Sequence, residues 1–374
     1  MAAYDDLRGF LDTLDKEGQL LRITDEVMPE PDIAAAANAA PRLGDAAPAL
    51  YFDNVTGFTD ARIAMNVHGS WANHALALGL PKGTSIREQV EEFIRRWERF
   101  SVAPEWRDAP PWAQNTVAGD DVNVFDVLPL IRLNDGDGGF YIDKAAVVSK
   151  DPDDPENSGK QNVGVYRIEV KGRRRLALQP VPMHDLAQHL RKAEEKGEDL
   201  PLAITLGNDP VISIVASTPM EYDQNEYELA GALRGAPAPV TKAPVTGLPV
   251  PWGSEVVIEG VIKGRKREIE CGPRPARRRG LPRCQHLHRR AGQGGRHRPR
   301  NGRPAASARP TGRPAAAPGA PMALPPARHP PRPGARHPGR VTGRWRLGQA
   351  SSSRSGIASR CRSSASSRSD HIRR

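Results

Sequence analysis

Apolar residues recur at helical spacing from the start of the chain. Leu7, Phe10, Leu11 and Leu14 share one face behind Asp5 and Asp6, and Gly18 closes the segment. Gln19–Ile23 then reads as a strand. Pro31 opens an Ala-rich helix over Asp32–Ala40, and Ala49–Phe52 and Arg62–Val67 are apolar runs bounded by turn residues, the mark of strands. Ser85-x-x-Glu88 is a capping box, and Val90, Phe93, Ile94 and Trp97 follow it on one face of a predicted helix. This alternation predicts an α/β N-terminal domain with a Pro- and Trp-rich linker, together spanning residues 1–118.

Strands dominate the next region. Val127–Leu133, Phe140–Ser149, Val163–Val170 and Leu176–Val181 are predicted strands, with turns at Gly136–Gly139 and Lys171-Gly172. A helix over His184–Lys196 stops at Gly197, and one over Glu226–Leu233 is stopped by Gly235. Leu202–Leu206 and Val211–Val215 read as buried strands, and Glu255–Lys263 alternates like a strand with one buried face. Many strands and few helices predict a barrel-like domain over residues 119–270.

At Cys271 the pattern ends. Residues 271–374 hold 25 Arg, no Lys and a single acid, Asp370, and prolines interrupt most windows. Such a segment buries too little apolar surface to offset chain entropy, which predicts a disordered basic tail. Its Arg, Pro, Ala and Gly are residues of GC-rich codons, so a coding sequence read out of frame explains it; a basic arm for nucleic acid is the rival. The net charge of +10 is therefore an average of unlike parts: the tail carries about +24 and Met1–Glu270 about −14. All three cysteines (Cys271, Cys284, Cys361) lie in the tail, so no disulfide framework is expected before it. No apolar run is long enough to span a bilayer and no leader pattern opens the chain, so a cytoplasmic location is expected.

Candidate chemistry gathers around Gln161–Arg167, Met183-His184 and Asn225-Glu226. The amide of Asn162, the imidazole of His184 and the carboxylate of Glu226 are a ligand set suited to a divalent cation. Each also has an ordinary reading: Asn162 capping a turn, His184 capping a helix, Glu226 a solvated first-turn acid. Arg167, among alternating apolar residues, wants a carboxylate or phosphate partner if buried. His68 and His74 read as structural, and His189 as facing outward or sideways. Gly136–Gly139 lacks the Lys-Ser/Thr of a phosphate loop. Cys271, Cys284, His286 and His288 fit no standard zinc-finger spacing.

Longer stretches carry a resemblance. Tyr4-Asp-Asp-Leu-Arg-Gly-Phe-Leu, Arg62-Ile-Ala-Met-Asn-Val, Gly136-Asp-Gly-Gly-Phe-Tyr, Lys160-Gln-Asn-Val-Gly-Val-Tyr-Arg, Leu178-Gln-Pro-Val-Pro-Met-His-Asp, Tyr222-Asp-Gln-Asn-Glu-Tyr-Glu-Leu-Ala-Gly-Ala and Val250-Pro-Trp-Gly-Ser-Glu-Val-Val-Ile-Glu-Gly keep one register up to Glu270. They resemble the UbiD family of aromatic acid decarboxylases, in particular the bacterial nonoxidative hydroxyarylic acid decarboxylases that act on 4-hydroxybenzoate and vanillate. The resemblance implies a split β-barrel of flavin-reductase type that holds prenylated FMN, and chains that assemble into homo-oligomers, with small companion subunits in some relatives. It implies Asn162, His184 and Glu226 as ligands of Mn²⁺ or another divalent ion on the cofactor phosphate, and K⁺ near the carbonyls of Ala216–Thr218. Val165, Tyr166, Arg167, Leu178, Gln179, Pro180, Met183 and His184 match the cofactor-lining segments; some relatives carry Gln where this chain has Met183. Arg167 and Glu270 match a catalytic Arg and the first Glu of a Glu-Gly-Pro-Phe-Gly-Glu segment whose second Glu is the proton donor.

Here the segment reads Glu270-Cys-Gly-Pro-Arg, so the second Glu is absent. The expected reaction is loss of CO₂ from a small aromatic carboxylic acid, reversibly, by a chain that is truncated and poorly active. A flavin- or metal-binding remnant without catalysis, and a nucleic-acid-binding protein acting through the tail, are the rival expectations. No membrane partner and no specific nucleic acid are expected.

Overall fold

The computed structural model describes residues 4–134 and 136–270, and the backbone of the strand at 341–349. Helix α1 (Leu7–Lys16) starts where the Asp6 carboxylate accepts from the Gly9 N–H, and it buries Phe10, Leu11 and Leu14. After β1 (Leu20–Ile23), helix α2 (Ala34–Ala39) is shorter than its sequence predicts. Irregular turns containing Pro31 and Pro41 flank it. Strand β2 (Ala49–Phe52) pairs in parallel with β1 and antiparallel with β3 (Ile63–Met65). Helices α3 (Trp71–Ala77) and α4 (Ile86–Trp97) complete this α/β part, and the Ser85–Glu88 capping box closes in both directions.

The face expected for α4 is only half right. Phe93 and Trp97 pack inward, but Val90 and Ile94 are exposed while Gln89 and Arg96 are buried. Arg96 explains the orientation. Its guanidinium donates to the carbonyls of Leu78 and Leu233, each at 2.6 Å, and to Glu92, so the cation is satisfied inside the protein.

The rest of the chain runs β4 (Glu105–Trp106), β5 (Asn115–Val117), α5 (Val124–Val127), β6 (Tyr141–Ile142), β7 (Ala146–Lys150), β8 (Gln161–Val165), β9 (Ile168–Gly172) and β10 (Arg175–Leu178). Then come α6 (Asp185–Lys196), β11 (Leu200–Leu206), α7 (Pro210–Val215), α8 (Glu226–Arg234), β12 (Pro239–Lys242), β13 (Pro249–Pro251), β14 (Val256–Ile262) and β15 (Val341–Gln349). Two predicted strands are not strands. Val127–Leu133 contains Pro129, which has no N–H for a ladder, and only the short α5 forms at its start. Val211–Val215 is helical, because Asp209 accepts from the Val211 N–H at 2.6 Å and Pro210 takes the first turn. Val163–Val170 divides at Tyr166-Arg167 into β8 and β9, and Phe140–Ser149 divides at residues 143–145 into β6 and β7.

The large sheet is antiparallel along the path β6-β9-β10-β15-β14-β11-β7-β8, with β5 beside β15. Among the described residues no ladder joins β6 to β8, so the expected barrel stands as an open sheet. Alternate residues feed two cores. Val147, Leu202, Ile204 and Ile258 join Ile168, Leu176, Leu178 and Leu186 of α6, whereas Ala146, Val148, Ala203 and Val257 join α7 and α8. Strand β14 therefore buries both faces, not one. Its buried Glu259 accepts from the Val245 and Thr246 N–H groups and the Thr246 hydroxyl.

The expected disordered tail needs a correction at residues 341–349. These pair with β10 and β14, each of which offers a ladder edge, along nine residues without a proline. Residues 271–340 and 350–374, including Cys271, Cys284, His286 and His288, lie outside the described residues.

An ion-pair chain, buried at Arg234 and Asp209 and open to solvent at Asp5 and Arg107, ties the parts together. At the end of α8, Arg234 donates to Asp209 at 2.5 Å and to Asp5 at 2.9 Å, and Arg107 reaches Asp5 at 2.7 Å. Burial pushes the Asp209 carboxyl up to about 7 against the pull of Arg234. Arg234→Met would strand that carboxyl, and we expect a loss of about 3–5 kcal/mol of unfolding free energy in urea titrations. A loss below about 1 kcal/mol would show that the pair does not hold these elements together.

Candidate active site

Strand β8 ends the sheet path. Its inner edge is laddered to β7 from Ala146↔Val165 to Lys150↔Gln161, and its outer edge has no strand partner among the described residues. The outward N–H groups of such an edge need acceptors. The Val165 N–H donates to the Ala216 carbonyl, just past α7, at 2.9 Å. The Val163 N–H donates to the carboxylate of Glu226, the first residue of α8. Helix α8 begins there because Asn225 caps it: Asn225 Oδ1 accepts from the Tyr227 N–H at 2.9 Å and from Gln161 Nε2 at 2.8 Å.

Tyr166 follows β8 and folds back over it. Its hydroxyl donates to Asn162 Oδ1 at 3.2 Å, and its ring meets the His184 ring edge-on with centroids 5.7 Å apart. Gly164 makes this possible, since a Cβ there would sit 2.7 Å from the Tyr166 ring. Burial, with the nearby charges of Glu226 and Asp185, holds the Tyr166 phenol protonated far above the usual range. Tyr166 thus stands among Asn162, His184 and Glu226, brought from β8 and the starts of α6 and α8.

Two polar atoms in this group are buried without partners: Glu226 Oε2 and Asn162 Nδ2. Burial pushes the Glu226 carboxyl up to about 8. Exchanging the amide nitrogen and oxygen of Asn162 would keep a bond to the Tyr166 hydroxyl and aim an oxygen at the unsatisfied side. An orphaned carboxylate oxygen beside an amide and an imidazole is a donor set that a divalent cation completes. His184 is exposed at the N-cap position of α6, with no side-chain capping bond. Among the described residues no three His, Cys, Asp or Glu side chains form a metal cluster; the set here depends on the Asn162 amide.

A second group lies at the other side of the Tyr166-Arg167 break. The exposed Arg167 guanidinium pairs with Glu270, its Nε donating to Oε1 at 2.7 Å. Tyr141 donates to the same oxygen at 3.0 Å, and its ring lies under the guanidinium at 5.4 Å. The Gln179 N–H donates to the Arg167 carbonyl at 3.3 Å, which places Leu178-Gln179-Pro180 alongside. Leu178 itself belongs to the core, Val165 is half-buried and Met183 is exposed.

Sequence reasoning missed Tyr141, which carries no motif of its own beyond the Gly-Gly-Phe-Tyr run. It also misplaced His189. That side chain is buried on α6, its Nδ1 2.9 Å from the Ser149 hydroxyl, and burial lowers it to about 4, so it is neutral.

Comparison with known proteins bears on this arrangement. Residues 11–93 match the 3-octaprenyl-4-hydroxybenzoate carboxy-lyase N-terminal domain, and residues 105–273 match the Rift-related domain of the same carboxy-lyase. The chain belongs to the UbiD family. Over 271 residues it is 75% identical to the phenolic acid decarboxylase of Streptomyces sp. (strain D7) and 68% identical to that of Escherichia coli O157:H7, covering 72% of this chain and 57% of each relative. It is also similar to the vanillic acid decarboxylase of Sedimentibacter hydroxybenzoicus in its closed form, with a TM-score of 0.70 and 50% identity over 72% of this chain and 57% of that one. An evolved dimeric form of the UbiD-class enzyme HmfF from Pelotomaculum thermopropionicum, solved with prFMN, gives a TM-score of 0.64 at 28% identity, covering 71% and 59%. This UbiD-family chain therefore spans just over half the length of the relatives it matches. No helix among its described residues is long and apolar enough to cross a membrane.

The buried Glu226 carboxyl generates a pH prediction for the metal-free protein. Its folded value of about 8 lies above the ordinary 4.5, so the unfolded chain releases this proton first. The stability it contributes is whole below about 4.5 and is lost as pH rises through about 8. Thermal melts across this range should show stability falling with pH, and Glu226→Gln should flatten that fall. Identical profiles for the two proteins would mean that Glu226 titrates as in water.

Proposed function

We propose that this chain is a nonoxidative decarboxylase of hydroxybenzoate-type aromatic acids, built to hold prenylated FMN through Asn162, His184 and Glu226. The observation that carries this reading is the orphaned, buried Glu226 oxygen on the free edge of β8, a position that asks for a cation. The names of the relatives support the substrate class, and the HmfF complex with prFMN supports the flavin. Mn²⁺ is the divalent ion proposed, with K⁺ near the carbonyls of Ala216–Thr218. The proposed division of the chain is an α/β part with its linker up to about residue 118 and a cofactor-holding part up to 270.

Prenylated FMN, when bound, supplies the electron sink for the negative charge left on the ring as CO₂ departs. The protein's own work is orientation and proton handling. Arg167 presents a fixed positive charge to which a substrate carboxylate can align, and Tyr141 keeps its guanidinium in place from below. Glu270 Oε1 accepts from both Arg167 and Tyr141, which makes it an anchor for the Arg167 guanidinium. The family's proton-donating Glu has no counterpart after Cys271. Protonation of the product carbon is therefore the step in which this chain is expected to be deficient, by ~10²–10⁴-fold.

A non-catalytic flavin-binding remnant is the second reading, favoured by that same absence. The Sedimentibacter enzyme was solved as ShVdcCD, and one open form contains a truncated ShVdcD. A companion subunit and a homo-oligomer are proposed for this chain on the same footing.

The test is reconstitution with prenylated FMN and Mn²⁺ followed by CO₂ release from 4-hydroxybenzoate and vanillate. We expect the flavin spectrum to be retained, to be lost in Glu226→Gln, and turnover to rise at least ~10²-fold when residues after Glu270 are replaced by Gly-Pro-Phe-Gly-Glu and the relatives' continuation. Failure of the chain to retain any flavin would overturn the reading.

A further inference from the structure

Neighbouring residues of a strand point to opposite faces. On β8 this separates Asn162, which meets Tyr166, from Gln161, which reaches across to Asn225. Each partner of the Gln161–Asn225 bond is therefore the immediate chain neighbour of a proposed ion ligand: Asn162 on one element, Glu226 on the other. Both side chains are 2% exposed, so water does not compete for the bond. Asn225 Oδ1 is also the N-cap of α8, accepting from the Tyr227 N–H. One oxygen thus fixes where the helix starts and how far that start lies from β8.

We propose that Gln161 and Asn225 are positioning residues for a divalent cation, setting the separation of the Asn162 amide from the Glu226 carboxylate. The inference rests on the reading above that these two side chains hold the ion. A ligand pair carried on two separate elements keeps its geometry only if the elements cannot slide. The Val163–Glu226 contact cannot do this alone, because it uses the ligand carboxylate itself. The Gln161–Asn225 bond lies behind the ligands and uses no ligand atom. Partners of this kind typically carry a 10–100-fold share of metal affinity.

The experiment is titration of Mn²⁺ into the full chain in the presence of FMN, with free Mn²⁺ read by electron paramagnetic resonance. Gln161→Met keeps the volume and removes the donor. Asn225→Ser keeps a capping oxygen but is too short to reach Gln161. Asn225→Asp keeps both acceptor bonds. We expect the first two to weaken Mn²⁺ binding about 10–100-fold and Asn225→Asp to stay close to the parent. Unfolding midpoints measured alongside separate affinity from stability. A bond that is structural only would lower the midpoint and leave the affinity alone, and that result overturns the inference. If Gln161→Met does not fold, Asn225→Ser decides. A parent chain that binds no Mn²⁺ overturns the reading of the ion site and this inference with it; a parent that binds, with Asn225→Ser within about twofold of it, overturns the inference only.

Discussion

The free edge of β8 is the constraint from which the candidate site follows. A strand that ends a sheet presents N–H groups that must be satisfied away from water, and here the acceptors come from helix termini, not from another strand. That choice brings the end of α7 and the start of α8 against a single strand. It also places a carboxylate where a neutral carbonyl would have sufficed. One oxygen of Glu226 closes the edge, and the other is buried without a hydrogen-bond partner.

The two halves of the site differ in their electrostatic character. At Glu226 and Tyr166 the acidic groups are buried and held near neutrality by the loss of water. At Arg167 an exposed cation is paired with a part-buried carboxylate, and the pairing gives it direction more than stability. The break between β8 and β9 falls between these regions, with Tyr166 turned to the dry side and Arg167 to the wet one. A two-residue interruption of a strand pattern thus separates cofactor holding from substrate contact in the reading proposed above.

Much of this was legible in the residues. Apolar runs marked β7 and β11, alternation marked β14, and Gly197 and Gly235 marked the ends of α6 and α8. Asp209-Pro210 was a helix start that apolar content obscured, because Val211–Val215 has the β-branched composition of a strand while its cap is local. The inward turn of Arg96 could not be read from helical periodicity, since it depends on the Leu78 carbonyl and on that of Leu233 in α8, 137 residues later. Tyr141 was hidden for a like reason: its partner is Glu270, and only the folded chain brings them together. The strand at 341–349 arises from unpaired ladder edges, which composition does not record.

Gly164 and Tyr166 occupy one volume between them. The ring fills the space that any side chain at 164 would need, so the two positions cannot drift independently in descendants of this sequence. A larger residue at 164 requires a smaller one at 166, and that exchange also removes the hydroxyl bound to Asn162. Three positions within five residues therefore form a single heritable unit, and their joint retention or joint loss, more than any one of them, would trace the site through divergent copies.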